Sequence, residues 1–354
     1  MFNVEMLPAQ RGDCLWLTYG STSDPHHVLI DAGPSETIAT LVPELEQRIA
    51  ALPGRTNRLE LLAMSHIDAD HIQGVVSLLS DPRRLRFFRD VWFNAFKHLP
   101  APDTLGAPDG ERLTRIMEEE PRRWNKAFRS GPAVIPDDGP LPTVTLEGGL
   151  EVTILSPTNE GLRKLAPKWE RECKKAGLLP GHGAEVPRAQ QRTDILGWNV
   201  DVMASMPYRR DRAEANGSSI AFIAEYGGKR LLCGADAHSE VLEKSLDRLG
   251  AGPHQFAAVK LSHHGSKANL SPGLLERVRS RNWLVSTNGA KFGHPDPEAL
   301  ARVISTQRRP IFHLNYVTRH VADLIENAGD DYTVRLPRKS RDGSHQSGLV
   351  VRLQ

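Results

Sequence analysis

Four side chains that can bind metal ions lie within six positions of the segment MSHIDADHIQG. They are His66, Asp68, Asp70 and His71, and they directly follow an apolar stretch at residues 59–63. His66 and Asp68 are two positions apart, so both can face one ion from a loop, while Asp70 and His71 can turn towards a second ion. Imidazole nitrogens and carboxylate oxygens suit Zn²⁺, Mn²⁺ or iron. The alternative is a solvated turn in which Asp70 caps the next helix. Such a turn, however, does not require four potential metal ligands within six positions.

Polar clusters follow apolar stretches elsewhere in the chain in the same way. They occur at Asp31, Asp236, His263 with His264, and Asn288, each after a stretch that predicts a strand. In α/β sheets, ligands bind beyond the carboxyl ends of the strands, so we expect these clusters to meet in one cleft. Asp236 alone would indicate only a turn or a cap. The two adjacent histidines cannot both be buried comfortably, so at least one of them should face the cleft.

Hydrophobic periodicity predicts the strands and helices that position these clusters. In the first third of the chain we expect strands at residues 2–7, 14–19, 27–30 and 59–64, and helices at 36–51 and 72–79. After residue 218 we expect strands at 219–226, 229–233, 257–261, 283–285 and 348–353, and helices at 239–249, 274–279 and 297–304. Strands that alternate with helices in this way are typical of an α/β fold.

The middle of the chain has a different composition, rich in Pro, Gly and charged residues from about residue 97 to residue 215. Here the patterns predict amphipathic helices at 110–128 and 160–175, a strand at 150–155 and a loop at 181–193. We interpret residues 1–354 as a single domain, and residues from about 97 to 215 as an insertion within it that is mostly helix and loop.

The composition excludes some classes of protein. Hydrophobic residues make up 39% and charged residues 25% of the chain, as in soluble globular proteins. The formal net charge is +2, so no whole-protein field attracts nucleic acid or membranes, although a local basic groove remains compatible with it. The 3 cysteines lack CxxC spacing, which predicts buried thiols rather than disulfides or a cysteine zinc site. No signal peptide and no apolar run of roughly 20 residues is visible, so we expect a cytoplasmic protein without a membrane partner.

Three motifs together resemble the metallo-β-lactamase superfamily. They are His-x-Asp-x-Asp-His at 66–71, Gly-Ala-Asp at 234–236 and His-His-Gly-Ser at 263–266. The nearest branch contains the hydrolase domain of the ComEC-type competence proteins and the phosphorylcholine esterases. The resemblance extends over most of the chain, through residues 12–13, 31–33, 216–219, 286–289 and 294–295. It implies a four-layer αββα sandwich of the α/β class, with two divalent metal ions at one edge.

The resemblance also implies roles for individual residues. His66 and Asp68 would bind the first metal ion, while the second would be bound by Asp70, His71 and His264. Asp236 would bridge both ions, and His263 would point at the substrate. His294 would line the far wall of the pocket, and Asp31 would orient the histidine loop by hydrogen bonds. For His294, an ordinary loop position before Pro295 is an equal alternative. The ions would be Zn²⁺, with Mn²⁺ as the alternative.

Two positions depart from the pattern of the superfamily. Most members have histidine where Asp68 stands, and an oxygen ligand there favours Mn²⁺ relative to Zn²⁺. The superfamily also supplies a further histidine before the bridging aspartate, but Asn216, a weaker ligand, holds that place. His182 and His98 are candidate replacements, although each is expected to be an ordinary surface or packing residue. We therefore expect the first metal ion to bind weakly.

The chemistry of such a site suits phosphodiesters, thioesters and lactams, and the motifs favour a phosphodiester. A metal-activated water would be the nucleophile, held by Asp70, and His263 would stabilise the oxyanion. Basic residues could hold phosphates or nucleic acid, namely Arg209, Arg210, Lys267 and the run at 335–341, unless they form only a solvated surface. The leading hypothesis is a nuclease. The alternatives are a small-molecule phosphodiesterase and a non-catalytic scaffold on a degenerate hydrolase fold.

A second resemblance concerns stand-alone metallo-hydrolases encoded in bacterial anti-phage defence operons. It rests on Trp124 with Asn125 and on the blocks at 148–158 and 286–296. Some of these hydrolases are encoded beside a trypsin-like protease or a nucleotide-binding ATPase. This resemblance implies a defence effector that such a protein partner would control, with residues 97–215 as the place of control.

Overall fold

The structure is a computed structural model that describes residues 1–54, 57–99, 108–175, 198–317, 321–337 and 348–353. In these ranges the strands are, in chain order, β1 (Phe2–Met6), β2 (Leu15–Gly20), β3 (Pro25–Ile30), β4 (Leu59–Ala63), β5 (Phe88–Trp92), β6 (Thr143–Thr145), β7 (Glu151–Ser156), β8 (Ala221–Tyr226), β9 (Lys229–Cys233), β10 (His254–Phe256), β11 (Ala258–Lys260), β12 (Val278–Ser280), β13 (Asn282–Val285), β14 (Ile311–Leu314), β15 (Thr333–Arg335) and β16 (Leu349–Arg352). The α-helices in the same ranges are α1 (Ile38–Ala51), α2 (Ala69–Leu78), α3 (Pro108–Met117), α4 (Asn159–Lys175), α5 (Val200–Ser205), α6 (Ser239–Arg248), α7 (Pro272–Arg277), α8 (Pro297–Thr306) and α9 (Ala322–Glu326).

Two large sheets organise these elements. The first has six strands in the order β16-β1-β2-β3-β4-β5, and its strands β3, β4 and β5 are parallel. The second has eight strands in the order β15-β14-β13-β11-β9-β8-β7-β6. Its five strands β9, β11, β13, β14 and β15 are parallel to one another. Polar residues that follow parallel strands of one sheet therefore come to the same edge of that sheet.

The core lies between the two sheets and beneath the helices on their outer faces. The side chains of β2 alternate between these two parts of the core. Leu15 and Leu17 pack between the sheets with residues of the second sheet, whereas Trp16 packs under the helices on the outer face. The apolar faces of α1, α2 and α4 cover that outer side, and those of α6, α7 and α8 pack onto the second sheet. Helices, sheet, sheet and helices form four layers, which confirms the predicted α/β sandwich.

The limits of the predicted helices differ from those in the structure, and for three helices the difference is informative. Helix α2 begins at Ala69 rather than at residue 72, so Asp70 and His71 lie on its first turn. Helix α3 ends at Met117 rather than at 128, because Pro121, which cannot donate a backbone hydrogen bond, starts a short 3₁₀ turn. Helix α7 ends at Arg277 rather than at 279, because residues 278–280 pair with β10 as a strand.

The middle region takes part in the central architecture. Its strands β6 and β7 belong to the second sheet, where β7 pairs with β8. The predicted loop at 181–193, which includes His182, and the basic residues 338–341 lie outside the described residues. The three cysteines are free and buried, as predicted. None of the helices in the described ranges is long and apolar enough to cross a membrane.

Candidate metal centre

Four of the five polar clusters that follow the strands meet where the two sheets approach each other, whereas Asn288, in the fifth, hydrogen-bonds to Gln10. Asp31 follows β3 and residues 65–71 follow β4, both in the first sheet, whereas Asp236 follows β9 and the two adjacent histidines follow β11 in the second. A backbone hydrogen bond of 2.8 Å from Ile220 to the carbonyl of Ser65 ties the two sides together. Every cluster is thus held at the end of a buried strand, which is a rigid position for a ligand.

Two groups of potential ligands lie close together in the described part of the chain. His66, His71 and Asp236 form one group, while Asp70, His71 and His264 form the other, and within each group the ligand atoms lie within 4.8 Å of one another. All five side chains are buried. Asp236 Oδ2 lies 3.7 Å from His66 Nε2 and 3.5 Å from His71 Nε2, and His264 Nε2 lies 3.6 Å from Asp70 Oδ2.

Unpaired polar atoms test whether these residues fit a metal ion. Among the residues that the structure describes, the buried Nε2 atoms of His66, His71 and His264 have no hydrogen-bond partner, and neither has Oδ1 of Asp236. Buried polar atoms are nearly always paired, because an unpaired one loses its hydration without compensation. Imidazole and carboxylate atoms that converge without partners fit a divalent metal ion, which would satisfy all of them at once.

The other ring nitrogen of each of these histidines is held by the protein. Asp31 Oδ2 accepts from His71 Nδ1 at 2.8 Å and from Ser65 Oγ at 2.7 Å. Because Ser65 Oγ donates to Asp31, it accepts from His66 Nδ1 at 3.0 Å. His264 Nδ1 donates to the carbonyl of Ser286 at 2.9 Å. These contacts place the proton on Nδ1 and leave the Nε2 lone pair available to a metal ion.

The carboxylates and imidazoles shift one another's pKa values. Burial alone would lower the pKa of His264, but the nearby Asp13 and Asp70 carboxylates raise it to about 9. Burial alone would raise the pKa of Asp236, but His263 and His71 hold it well below its usual range. Without a metal ion, protons bound to the histidines therefore balance the negative charge of the carboxylates. A divalent cation that binds here would displace those protons.

Asp68 lies at the rim of the centre. Its Oδ2 is 3.8 Å from His66 Nε2, its Oδ1 is 3.9 Å from Lys168 Nζ, and its side chain is 38% exposed. It precedes α2 without making a capping hydrogen bond, so its carboxylate is available for another role. One of the ligands that the sequence predicts for the first ion is therefore partly exposed to solvent.

Replacing Asp68 by histidine is expected to shift the metal preference of the centre from Mn²⁺ towards Zn²⁺. The change substitutes a nitrogen ligand for an oxygen ligand, and imidazole favours zinc whereas carboxylate suits manganese. The measurement is the metal content of chelated protein after dialysis against equal concentrations of both ions. Asp330→His, an exposed change on the surface, is the control. An unchanged ratio of the two metals in Asp68→His would contradict the assignment of Asp68 as a ligand.

The remaining candidate residues lie at different distances from the centre. Asn216 is buried beside His263, with its Nδ2 3.3 Å from His263 Nδ1, and the His294 ring lies 5.1 Å from the His263 ring. Lys267 is half-exposed and paired with Glu298, and Arg209 and Arg210 are exposed. His98 packs against Trp124 in the outer core, where burial lowers its pKa to about 4. Their roles in binding remain predictions.

Sequence reasoning missed a buried ion pair behind the centre. Lys260 Nζ lies 2.8 Å from Asp13 Oδ2, and Asp13 Oδ1 lies 3.4 Å from His264 Nδ1. Lys260 is 1% exposed and Asp13 is 2% exposed. The sequence contains a signal for this pair, because a lysine at the end of the buried apolar strand β11 needs a buried partner of opposite charge.

Comparisons with known proteins give distant structural similarities. YhfI from Bacillus subtilis, described as a metallo-beta-lactamase fold protein, is 11% identical, with a TM-score of 0.38 over 99% of this chain and 98% of its own. Zn²⁺-bound PqqB from Methylobacterium extorquens is 13% identical, with a TM-score of 0.39 over 100% of both chains. CmlA, a diiron beta-hydroxylase from Streptomyces venezuelae, is 12% identical, with a TM-score of 0.38 over 99% of this chain and 54% of CmlA.

No protein-family model and no curated protein matches the chain. The fold and the site themselves define an α/β protein with a buried centre suited to divalent metal ions.

Proposed function

We propose that this protein is a metal-dependent hydrolase that cleaves phosphodiester bonds, with nucleic acid as its substrate. The observation that carries the proposal is that two ligand groups lie side by side with His71 in common, and that Asp236 Oδ2 lies 3.5 Å from Nε2 of this common histidine. A carboxylate in this position can be shared by a pair of ions. Two divalent ions held here would lower the pKa of a bound water towards neutrality and stabilise charge on the attacking and leaving oxygens.

The residues of the chain would position the reactants. Asp70 lies on the first turn of α2, is 5% exposed and contacts His264, so its carboxylate can orient a water molecule at the second group. A cysteine nucleophile does not fit, because all three cysteines are buried and burial raises the pKa of each thiol. Hydrolysis by a metal-activated water needs no nucleophilic side chain.

The rim of the centre supports a nucleic-acid substrate. Phe292 is 42% exposed, and its ring lies 6.1 Å from the His263 ring and 5.9 Å from the His294 ring. Lys291 Nζ lies 4.6 Å from the centre of the Phe292 ring, and Lys168 lies beside Asp68. An exposed aromatic ring on which a base can stack, beside cations that can hold phosphates, is the usual combination at single-stranded nucleic-acid sites.

One observation favours the alternative of a small-molecule phosphodiesterase. The net charge of the whole chain is only +2, whereas extended binding of a nucleic-acid backbone depends on many cations. A short substrate would need only the centre and the few cations at its rim. The size of the substrate is therefore the first property to measure.

The experiment compares bis-p-nitrophenyl phosphate, single-stranded DNA and plasmid DNA as substrates after chelation and readdition of Mn²⁺ or Zn²⁺. Metal-dependent cleavage of the small diester and of DNA is the expected result. Cleavage of the small diester alone would replace the nuclease proposal by the alternative. If protein that holds metal cleaves none of these substrates, both the nuclease and the small-molecule phosphodiesterase are contradicted. The predicted control by a protein partner, or a scaffold role, would then be tested next.

Replacing Phe292 by alanine is expected to raise KM for single-stranded DNA about tenfold, because stacking contributes about 1–3 kcal/mol per base. Turnover of bis-p-nitrophenyl phosphate should change little, since that substrate reaches only the centre. Steady-state kinetics with both substrates measures the difference. Leu249→Ala, which removes a similarly exposed apolar side chain at the end of α6, is the matched control. An equal loss with both substrates would rule out a stacking role.

A further inference from the structure

His263 is held in the same way as the three histidines of the centre. Its Nδ1 lies 2.9 Å from Asn269 Oδ1. The amide orientation of Asn269 follows from its other contacts, because Nδ2 donates to Asp211 Oδ2 at 2.9 Å and to the carbonyl of Asp236 at 3.1 Å. Oδ1 must therefore face the histidine, so Nδ1 of His263 is the donor and its Nε2 carries the lone pair.

The Nε2 atom of His263 faces the Asp236 carboxylate. It lies 3.7 Å from Asp236 Oδ2, the same separation as between that oxygen and His66 Nε2. This distance is too long for a hydrogen bond. It suits two ligands of one ion, because bonds of roughly 2.0–2.2 Å place neighbouring ligand atoms roughly 3–4 Å apart.

The backbone provides a second, independent observation. His263 has φ 46° and ψ 51°, and His264 has φ 55° and ψ 20°, so two successive non-glycine residues are left-handed. Each such residue costs on the order of 1 kcal/mol or more and persists where the surroundings impose it, often at functional sites. The conformation lets both rings reach the centre, His263 at Asp236 and His264 at Asp70.

Asn216 occupies the place where the resemblance leads one to expect a histidine, and it lies behind His263. Its Nδ2 donates to Asp211 Oδ2 at 2.6 Å and lies 3.3 Å from His263 Nδ1. Asp211 also binds Asn269, so these three side chains form one support around the Nδ1 side of the imidazole. Such support orients metal-binding histidines.

We propose that His263 is a ligand of the first metal ion, together with His66, Asp68 and Asp236, and supplies the imidazole that the Asn216 position lacks. The assignment rests on the metal centre of the proposed function, but not on which bond that centre cleaves. It replaces the expected contact between His263 and substrate by a bond to the ion. It also gives the first ion a second imidazole ligand besides His66, so we expect this ion to bind more strongly than the sequence alone predicts.

The test is a calorimetric and optical titration of chelated protein with Co²⁺, together with metal analysis after dialysis. Wild-type protein should bind two equivalents. His263→Ala should lose one equivalent, or bind it on the order of 100-fold more weakly, and retain the other. His263→Asn is the second variant, because asparagine tolerates the left-handed backbone better than alanine. His294→Ala, which removes the adjacent imidazole, is the matched control and should keep both equivalents.

Two equivalents with unchanged affinity in both His263 variants would overturn the assignment, and so would a wild-type protein that binds a single equivalent. The readout is metal binding rather than turnover. A wild-type protein that binds two ions and cleaves no phosphodiester would therefore contradict the proposed function and leave the ligand assignment in place.

Discussion

Replacing Asp236 by asparagine is expected to reduce hydrolysis about 10³-fold or more. Its Oδ2 lies within 3.7 Å of the Nε2 atoms of His66, His71 and His263, and its Oδ1 has no hydrogen-bond partner in the described part of the chain. Asparagine keeps the shape of the side chain but removes the charge and replaces one oxygen by an amide nitrogen that cannot bind a cation. Electrostatic stabilisation by metal ions contributes several kcal/mol, and each 1.4 kcal/mol corresponds to about a tenfold change in rate.

The measurement is kcat/KM for bis-p-nitrophenyl phosphate at saturating Mn²⁺ or Zn²⁺, together with the metal content of the variant. Asp247→Asn, which neutralises an exposed carboxylate paired with Arg277, is the matched control and should keep wild-type activity. Thermal unfolding of both variants separates loss of the centre from loss of the fold. Undiminished activity in Asp236→Asn would exclude a shared role for this carboxylate.

The clusters at the strand ends were predictable from the sequence because their positions follow from local patterns. His66 and His71 lie in one dense motif, and Asp31, Asp236 and His264 each follow a clear apolar strand. Once the strands are placed in two sheets, their carboxyl ends limit where these side chains can go. The structure brings four of these five within two tight groups and places Asp31 behind His71.

Contacts between distant segments were not predictable in this way. Strand β5 was missed because Arg89 and Asp90 interrupt its apolar pattern. In the structure, Asp90 is buried and accepts hydrogen bonds at 2.8 Å from the backbone of both Lys126 and Ala127. The state of His263 likewise depends on Asn269 and on Asp211, which is 58 residues earlier in the chain than Asn269. Neither relationship leaves a periodic signal in the sequence.

Replacing Lys260 by methionine is expected to lower the free energy of unfolding by about 3–5 kcal/mol. The change removes the ammonium group that lies 2.8 Å from Asp13 Oδ2 and donates to the carbonyl of Leu261 at 2.9 Å. Although burial by itself would raise the pKa of Asp13, Lys260 and His264 hold it well below its usual range, so the carboxylate stays charged. Removing Lys260 leaves the buried Asp13 charge with His264 as its nearest cationic neighbour, and breaking a buried pair in this way costs more than the pair itself contributes.

Urea denaturation of the metal-free protein measures this loss. Lys229→Met, at the exposed start of β9, is the matched control and should change stability by less than about 0.5 kcal/mol. The double variant Asp13→Asn, Lys260→Met removes both charges and should recover most of the lost stability, because no unpaired charge remains in the core. A double variant as unstable as Lys260→Met alone would show that packing of the lysine side chain, rather than the buried ion pair, stabilises the strand ends beneath the metal centre.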